Sequence, residues 1–162
     1  MIETMKIRRM QPEDRPGLKA LLYAQPHFRP EEIRVALELI DITLAHPAEE
    51  DYIVLCAEEG EGEIRGYVCY GKAPLTDAVY DLYWIVVLPA CWGQGTGSSL
   101  LRRAEVELAQ RHARLLLIET SSTPPYDLPR AFYEKHGYRE QARILDYYRP
   151  EDHKIIYGKI LK

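Results

Sequence analysis

The sequence predicts an α/β protein in which a mixed β-sheet carries helices on its faces. Three observations support this prediction: strand-like and helix-like segments follow one another along the chain, the helical segments have one apolar stripe each, and several strand segments are nearly continuous in apolar residues. With 162 residues the chain is long enough to bury a real core. We therefore expect a single domain over residues 1–162.

The N-terminal part predicts one strand and two helices. The segment MKIRRM alternates as a short strand. PEDRPGLKALLYA then places Leu18, Leu21 and Leu22 on one helical face, with acidic residues in the first turn, where the helix dipole favours them. EEIRVALELIDITLAH has apolar residues at helical spacing and should end before Pro47.

The middle of the chain predicts three strands and a third long helix. DYIVLCAEE and EIRGYVCYGK flank EGEG, a pattern typical of a β-hairpin with a longer loop. AVYDLYWIVVL is nearly continuous in apolar and aromatic residues, which predicts a strand buried on both faces. Beyond a glycine-rich turn, a helical stripe follows, formed by Leu100, Leu101, Ala104 and Leu108.

The C-terminal part adds three strands and a short helix. RLLLIET predicts another buried strand, SSTPPYDLP a loop, and RAFYEKHG a short helix closed by Gly137. YREQARILDYY and HKIIYGKIL predict the last two strands. The expected order is therefore β-α-α-β-β-β-α-β-α-β-β.

Composition excludes several classes of protein. The formal net charge is −4 and no basic tract occurs, which argues against nucleic-acid binding. No apolar run approaches the roughly 20 residues of a membrane span, and the N-terminus lacks the apolar stretch of a signal peptide, so we expect a cytoplasmic protein. The five histidines show no ligand spacing with the cysteines, so we expect no metal. We expect reduced core thiols at Cys56, Cys69 and Cys91.

The segment PACWGQGTGSSLL, residues 89–101, has glycines at alternate positions directly before a helix. Backbone N–H groups at a helix start suit an anion, so Gly93, Gly95 and Gly97 could hold a pyrophosphate. The alternative is a glycine-rich turn that binds nothing. The nucleotide P-loop does not fit because Ser98 follows the last glycine where that motif needs Lys. The dinucleotide fingerprint does not fit because these glycines alternate without a break.

Two segments resemble motifs of the GNAT superfamily of N-acetyltransferases. IVVLPACWGQGTGSSLL resembles the acyl-CoA-binding motif (Q/R)-x-x-G-x-(G/A) after a strand, with Gly95 and Gly97 as its small residues. RAFYEKHGY resembles a second motif that contains a tyrosine and ends in glycine and an aromatic residue. Two positions depart from the pattern: Trp92 stands where the family usually has Gln or Arg, and Tyr126 where an Asn is common.

The resemblance implies acetyl-CoA as cosubstrate and a mostly antiparallel sheet of about seven strands flanked by four helices. The fourth and fifth strands would splay apart, and pantetheine would pair with the backbone of the segment IVV. The resemblance covers almost the whole chain, because the predicted order of elements is the family's order. The residues expected to hold the coenzyme are Ile85, Val86, Val87, Gly93, Gln94, Gly95, Thr96, Gly97, Ser98, Ser99 and Tyr126.

The resemblance also assigns the candidate catalytic residues. Tyr133 matches the motif tyrosine that can protonate the departing thiolate. Glu119, directly after the apolar run LLLI, matches the general base of the branch that modifies peptide N-termini. Asp81 matches the base of the histone-acetylating branch and is the second candidate, and a water chain is the third. Tyrosines 80, 83, 147 and 148 could form an aromatic wall for a cationic acceptor or be ordinary surface residues.

The expected activity is transfer of an acetyl group from acetyl-CoA to an amine of a small molecule, peptide or protein, by direct attack in a ternary complex. The alternative is a non-catalytic acyl-CoA sensor on the same fold. Relatives often dimerise through their late strands, so a homodimer is possible, with HKIIYGKIL as a plausible sheet edge.

Overall fold

The computed structural model describes residues 4–161, and its elements follow the predicted order. Short 3-10 turns lie before α1, after β4 and before α4. The helices and strands are β1 (Lys6–Arg9), α1 (Arg15–Tyr23), α2 (Pro30–Ala45), β2 (Ile53–Glu59), β3 (Glu63–Lys72), β4 (Val79–Val87), α3 (Thr96–Gln110), β5 (Leu115–Ser121), α4 (Asp127–Lys135), β6 (Arg139–Arg149) and β7 (Asp152–Ile160).

The seven strands form one mixed sheet in the order β1-β2-β3-β4-β5-β7-β6. β4 and β5 pair in parallel, whereas β1–β2, β2–β3, β5–β7 and β6–β7 pair antiparallel. Among the described residues, the pairing of β4 with β5 ends at Leu82 and Ile118, although β4 runs to Val87 and β5 to Ser121. The predicted α/β fold with a mostly antiparallel sheet and four helices is confirmed.

The described chain forms two compact units, each built from two segments. The first contains residues 4–71 and 84–107, and the second contains residues 72–83 and 108–161. Strand β4 contributes its first half to the second unit and its last half to the first.

The first unit has an apolar core on each face of its strands. On one face, the predicted leucines of α1 and the apolar stripe of α2 pack against alternate residues of β2 and β3. Members of this core are Leu18, Leu21, Leu22, Ile33, Ala36, Ile40, Val54, Cys56, Tyr67, Cys69 and Val86. This alternation follows from the period of two along a strand, which sends successive side chains to opposite faces.

Helix α3 covers the opposite face of β3, and Gly66 is the point of closest approach. A Cβ added to Gly66 would lie 2.9 Å from the Val86 carbonyl oxygen, 3.1 Å from the Leu100 side chain and 3.4 Å from that of Thr96. Glycine is therefore required here because the backbone of β4 and the start of α3 come too close for a side chain.

The second unit packs α4 on one face of β5 and β7. The ring of Tyr133 lies 6.1 Å from that of Tyr157, whose hydroxyl donates to Glu134 Oε1 at 3.0 Å. Tyr157 pairs with Ile118 in the β5–β7 ladder, so α4 covers the face that carries Ile118. The neighbouring residue Glu119 consequently points to the opposite face.

Three predictions about this part of the chain are wrong. β4 is not buried on both faces, since only Leu82 and Val86 are buried and both lie on the same face of the strand. HKIIYGKIL is not a sheet edge, because β7 pairs with both β5 and β6, and β6, whose residues are all in the exposed class, is the edge strand on this side. The loop SSTPPYDLP ends early, since α4 begins at Asp127 and includes Pro129, which a first helical turn tolerates.

The expected placement of the three cysteines in the core is confirmed. Cys56, Cys69 and Cys91 are free and buried. Within residues 4–161, no helix combines the length and the apolar character that crossing a bilayer requires.

Replacing Gly66 with alanine should destabilise the protein, because the new methyl group meets a backbone oxygen that cannot rotate away. The expected loss in the free energy of unfolding is about 1–3 kcal/mol. Urea denaturation followed by circular dichroism measures it.

Gly17→Ala is the matched control with the opposite sign. A Cβ at this helical glycine makes only ordinary contacts with Ile64, at 3.5 and 3.7 Å. Alanine in a helix is better than glycine by about 0.5–1 kcal/mol, so this variant should be neutral or more stable. Equal stability of both variants would contradict the close approach at Gly66.

Candidate active site

The glycine-rich turn after β4 needs glycine for its backbone conformation. Gly93 has φ of 75° and Gly95 has φ of 89°, in the left-handed region that L side chains rarely adopt. A Cβ at either position would find no atom within 4 Å, so the space beside the turn is open. The turn therefore combines a tight bend with open space beside it.

The start of α3 presents main-chain donors at this turn. The Ser99 N–H donates to the Gly95 carbonyl at 3.0 Å, so the helix is anchored on Gly95, and Gly97 lies inside its first turn. N–H groups in a first turn have no acceptor within the helix, and the dipole adds positive potential there. Gly97, Ser98 and Ser99 are half-buried, and Thr96 is buried. This arrangement can bind a phosphate anion.

Two side chains cap the last carbonyl of β4. The Trp92 indole Nε1 donates to the Val87 carbonyl at 2.8 Å, and Gln25 Nε2 donates to the same oxygen at 3.1 Å. Both lone pairs of that oxygen are therefore used, and a ligand would have to pair with other backbone groups of this strand. The role predicted for the Ile85–Val87 backbone stays a prediction.

Trp92 itself is 47% exposed. Gln94 Nε2 donates to the Ala90 carbonyl at 3.1 Å. Tyr126 is half-buried in the 3-10 turn before α4 and forms the N-cap of that helix. The coenzyme-binding roles of these three residues stay predictions.

Tyr133 is a buried phenol of the second unit, with 7% of its surface exposed. Its ring packs against Tyr138 and Tyr157, at centroid distances of 6.3 and 6.1 Å. Burial raises its pKa well above the ordinary value for tyrosine. Among residues 4–161, none forms a hydrogen bond with its hydroxyl. Tyr133 therefore stays protonated and can donate to an incoming anion.

Asp81 and Glu119, the two candidate bases, come together on one face of the second unit. Asp81 lies opposite Leu117 in the parallel ladder, and Glu119 is the first residue of β5 beyond the ladder's end. Asp81 is half-buried; burial and the negative charge of Glu119 raise its pKa, while Lys154 lowers it. Glu119 is half exposed, with 50% of its side chain accessible, and its Oε2 lies 2.8 Å from the Lys154 ammonium.

The candidate acid and the candidate bases lie on opposite faces of the β5–β7 sheet. Tyr133 packs with Tyr157 on the face of Ile118, whereas Glu119 and Asp81 lie on the other face. In acyl transfer a base acts on the attacking amine and an acid on the departing sulfur, so the two groups act at different atoms.

Near Glu119, the predicted aromatic residues supply two exposed rings. Tyr147 and Tyr148 stand edge to face, with centroids 4.9 Å apart. The Lys154 ammonium lies 4.3 Å from the centre of the Tyr147 ring. Tyr80 is half-buried and Tyr83 exposed on β4. Sequence reasoning missed Lys154 and Gln25, because a lysine in a late strand and a glutamine after a helix carry no local signal of their partners.

Fold and turn together define a GNAT-type acyltransferase domain, and comparison with known proteins agrees. A family model described as an acetyltransferase (GNAT) domain matches residues 50–140. A Desulfovibrio desulfuricans protein described as an acetyltransferase of the GNAT family has a crystal structure with a TM-score of 0.94 and 36% identity, covering 98% of this chain and 100% of that chain. No curated protein sequence matches. The chain belongs to the GNAT family of acetyltransferases.

Two solved structures of lower identity share the fold. Ribosomal-protein-S18-alanine N-acetyltransferase from Escherichia coli has a TM-score of 0.77 at 20% identity, over 98% of this chain and 95% of that one. PaiA N-acetyltransferase from Thermoplasma acidophilum, solved in complex with coenzyme A, has a TM-score of 0.76 at 16% identity, over 97% and 99% of the chains. At these identities the likeness shows the fold alone.

The burial of Tyr133 predicts that its phenol titrates later than an exposed tyrosine. Nuclear magnetic resonance of tyrosine labelled with ¹³C at Cζ should show its signal unchanged through about pH 10, the ordinary tyrosine pKa. Tyr133→Phe assigns the signal. Free tyrosine, measured under the same conditions, is the reference. Titration of Tyr133 together with free tyrosine would contradict the burial described above.

Proposed function

We propose that this protein is an acetyl-CoA-dependent N-acetyltransferase that passes the acetyl group directly to an amine. The observation that carries the proposal is the turn at Gly93–Gly95, where left-handed glycines leave open space at the start of α3. The coenzyme A complex of the PaiA relative supports an acyl-CoA ligand for this family. Pyrophosphate would accept hydrogen bonds from the first turn of α3, including Gly97, with Ser98 and Ser99 adding hydroxyl donors.

Direct transfer is favoured over an acyl-enzyme because the described thiols are poor nucleophiles. Burial raises the pKa of Cys56 and of Cys69 to about 12, so neither forms thiolate near neutral pH. Cys91 is buried as well. The acetyl group would then move in one step from sulfur to nitrogen, with both substrates bound. Three buried free thiols also support the proposed cytoplasmic location.

The reaction also needs two proton transfers, one from the attacking amine and one to the departing thiolate. An amine arrives as ammonium and must lose a proton before its lone pair can attack. We assign that role to Asp81 before Glu119, reversing the order favoured from sequence, since Glu119 is already paired with Lys154 and Asp81 has the raised pKa. Tyr133 would donate its proton to the departing thiolate and regain one from solvent.

Acetyl-CoA binding and the role of Tyr133 can be tested together. Calorimetry should detect acetyl-CoA binding, and free-thiol release should detect turnover with members of an amine panel. Tyr133→Phe should bind acetyl-CoA with unchanged affinity but lose about 10²-fold or more in kcat, because only proton donation is removed.

Tyr157→Phe is the matched control, because Tyr157 belongs to the same aromatic cluster and its hydroxyl donates to Glu134. It should keep its kcat. Unchanged turnover in Tyr133→Phe would remove this residue from the mechanism. Acetyl-CoA binding without thiol release on any amine would favour the alternative function, a non-catalytic acyl-CoA sensor.

The two carboxylates differ in their expected pH profiles. Asp81→Asn should lower kcat/KM by about 10²-fold or more, because the base is lost. In wild type, activity should fall as pH drops through the raised pKa of Asp81. Glu119→Gln should stay active, with its acidic limb at lower pH, because a negative charge beside Asp81 is gone. Loss of activity in Glu119→Gln alone would return the role to Glu119.

A further inference from the structure

Lys154 is a largely buried cation that faces the candidate bases. It lies opposite Ser121 in the β5–β7 ladder, which places its side chain on the face of Glu119. Only 12% of its side chain is exposed, its ammonium is 2.8 Å from Glu119 Oε2, and the Tyr147 ring lies 4.3 Å away. An ion pair held this way by a strand and a ring is much better fixed than an ordinary surface pair.

The other titratable groups on this face come from β4 and the β6–β7 hairpin. Asp81 interacts electrostatically with both members of the ion pair. The Tyr148 phenol interacts with Glu119, Lys154, Tyr147 and Asp152, and its pKa is raised by burial and by Glu119. Asp152 is engaged elsewhere, since it accepts from Ser121 Oγ at 2.5 Å and lies 3.7 Å from Arg149.

Two carboxyl groups, Asp81 and Glu119, and one ammonium, Lys154, thus share a partly buried face of the sheet. Among residues 4–161, the charges that act on Asp81 are Glu119, which disfavours its ionised form, and Lys154, which favours it. Burial disfavours the charge of Lys154, but the hydrogen bond and charge of Glu119 outweigh it and raise the pKa of the ammonium. Lys154 therefore stays charged and remains paired with Glu119.

We propose that Lys154 is a positioning residue that tunes Asp81: its ammonium, fixed between Glu119 and the Tyr147 ring, offsets the negative charge that Glu119 exerts on Asp81. The consequence for catalysis rests on the proposed function, but the electrostatic effect on Asp81 does not. Without the ammonium, the negative charge of Glu119 would act on Asp81 with no opposing charge from Lys154.

Opposite shifts in two variants test this proposal. The ¹³C signal of the Asp81 carboxyl carbon, assigned by its loss in Asp81→Asn, reports the pKa of Asp81 directly. Lys154→Met should move this pKa upward by about one unit, because a favourable charge is removed. Glu119→Gln should move it downward, because the repelling charge is removed and Lys154 remains. Lys154→Arg keeps the charge and should leave the Asp81 titration near its wild-type position.

Lys159→Met is the matched control for the loss of a lysine. Lys159 lies on the same strand, opposite Leu116, so it points to the other face, and its ammonium is 5.5 Å from the Tyr138 ring. This variant should leave the Asp81 titration unchanged. Circular dichroism of every variant confirms that the fold is retained, and Lys154→Arg and Glu119→Gln keep the test open if Lys154→Met fails to fold.

The readouts separate this proposal from the proposed function. If Asp81 shifts upward in Lys154→Met and downward in Glu119→Gln, the proposal stands, even if no amine is acetylated. If turnover is observed, the acidic limb of kcat/KM should follow the same two shifts. If Lys154→Met folds, an unchanged Asp81 titration in that variant would overturn the proposal, whatever the activity. If Lys154→Met does not fold, an unchanged Asp81 titration in Glu119→Gln would overturn it.

Discussion

The short parallel pairing between β4 and β5 is the constraint on which the candidate site depends. The ladder runs only from Val79–Leu115 to Leu82–Ile118, and both strands continue beyond it. Backbone groups past the end of a ladder need other partners, because unpaired polar groups are costly to bury. Asp81 sits inside the last part of this ladder and Glu119 just beyond it. Chemistry-bearing side chains are thus gathered where regular pairing stops.

In the first unit, two side chains satisfy the last carbonyl of β4. Trp92 and Gln25 both donate to the Val87 carbonyl, so the last acceptor of the strand is satisfied within the protein. The substitution of Trp for the family's usual Gln or Arg therefore has a structural meaning: the indole fixes the strand end instead of offering a polar contact to a phosphate. The main-chain donors of α3, which we propose bind the pyrophosphate, do not depend on that side chain.

Electrostatics on the face of Glu119 explain why two candidate bases need not be equivalent. A carboxylate that shares a face with another carboxylate and one ammonium cannot titrate independently of them. The ion pair gives Glu119 a partner, and burial with a nearby negative charge gives Asp81 a raised pKa. The choice of base that we propose therefore depends on Lys154, a residue of a later strand.

Local patterns in the sequence determined the order of elements, the apolar stripes of α1, α2 and α3, and the glycine turn, because periodicity and backbone preference act over a few residues. Both motifs, and with them the family, could also be found from sequence. Tertiary structure alone decided that β7 is internal, that β4 is only partly buried, that Trp92 caps Val87, and that Lys154 pairs with Glu119. These features depend on which strands lie side by side and where their pairing ends, and residues 35 positions apart carry no mark of such contacts.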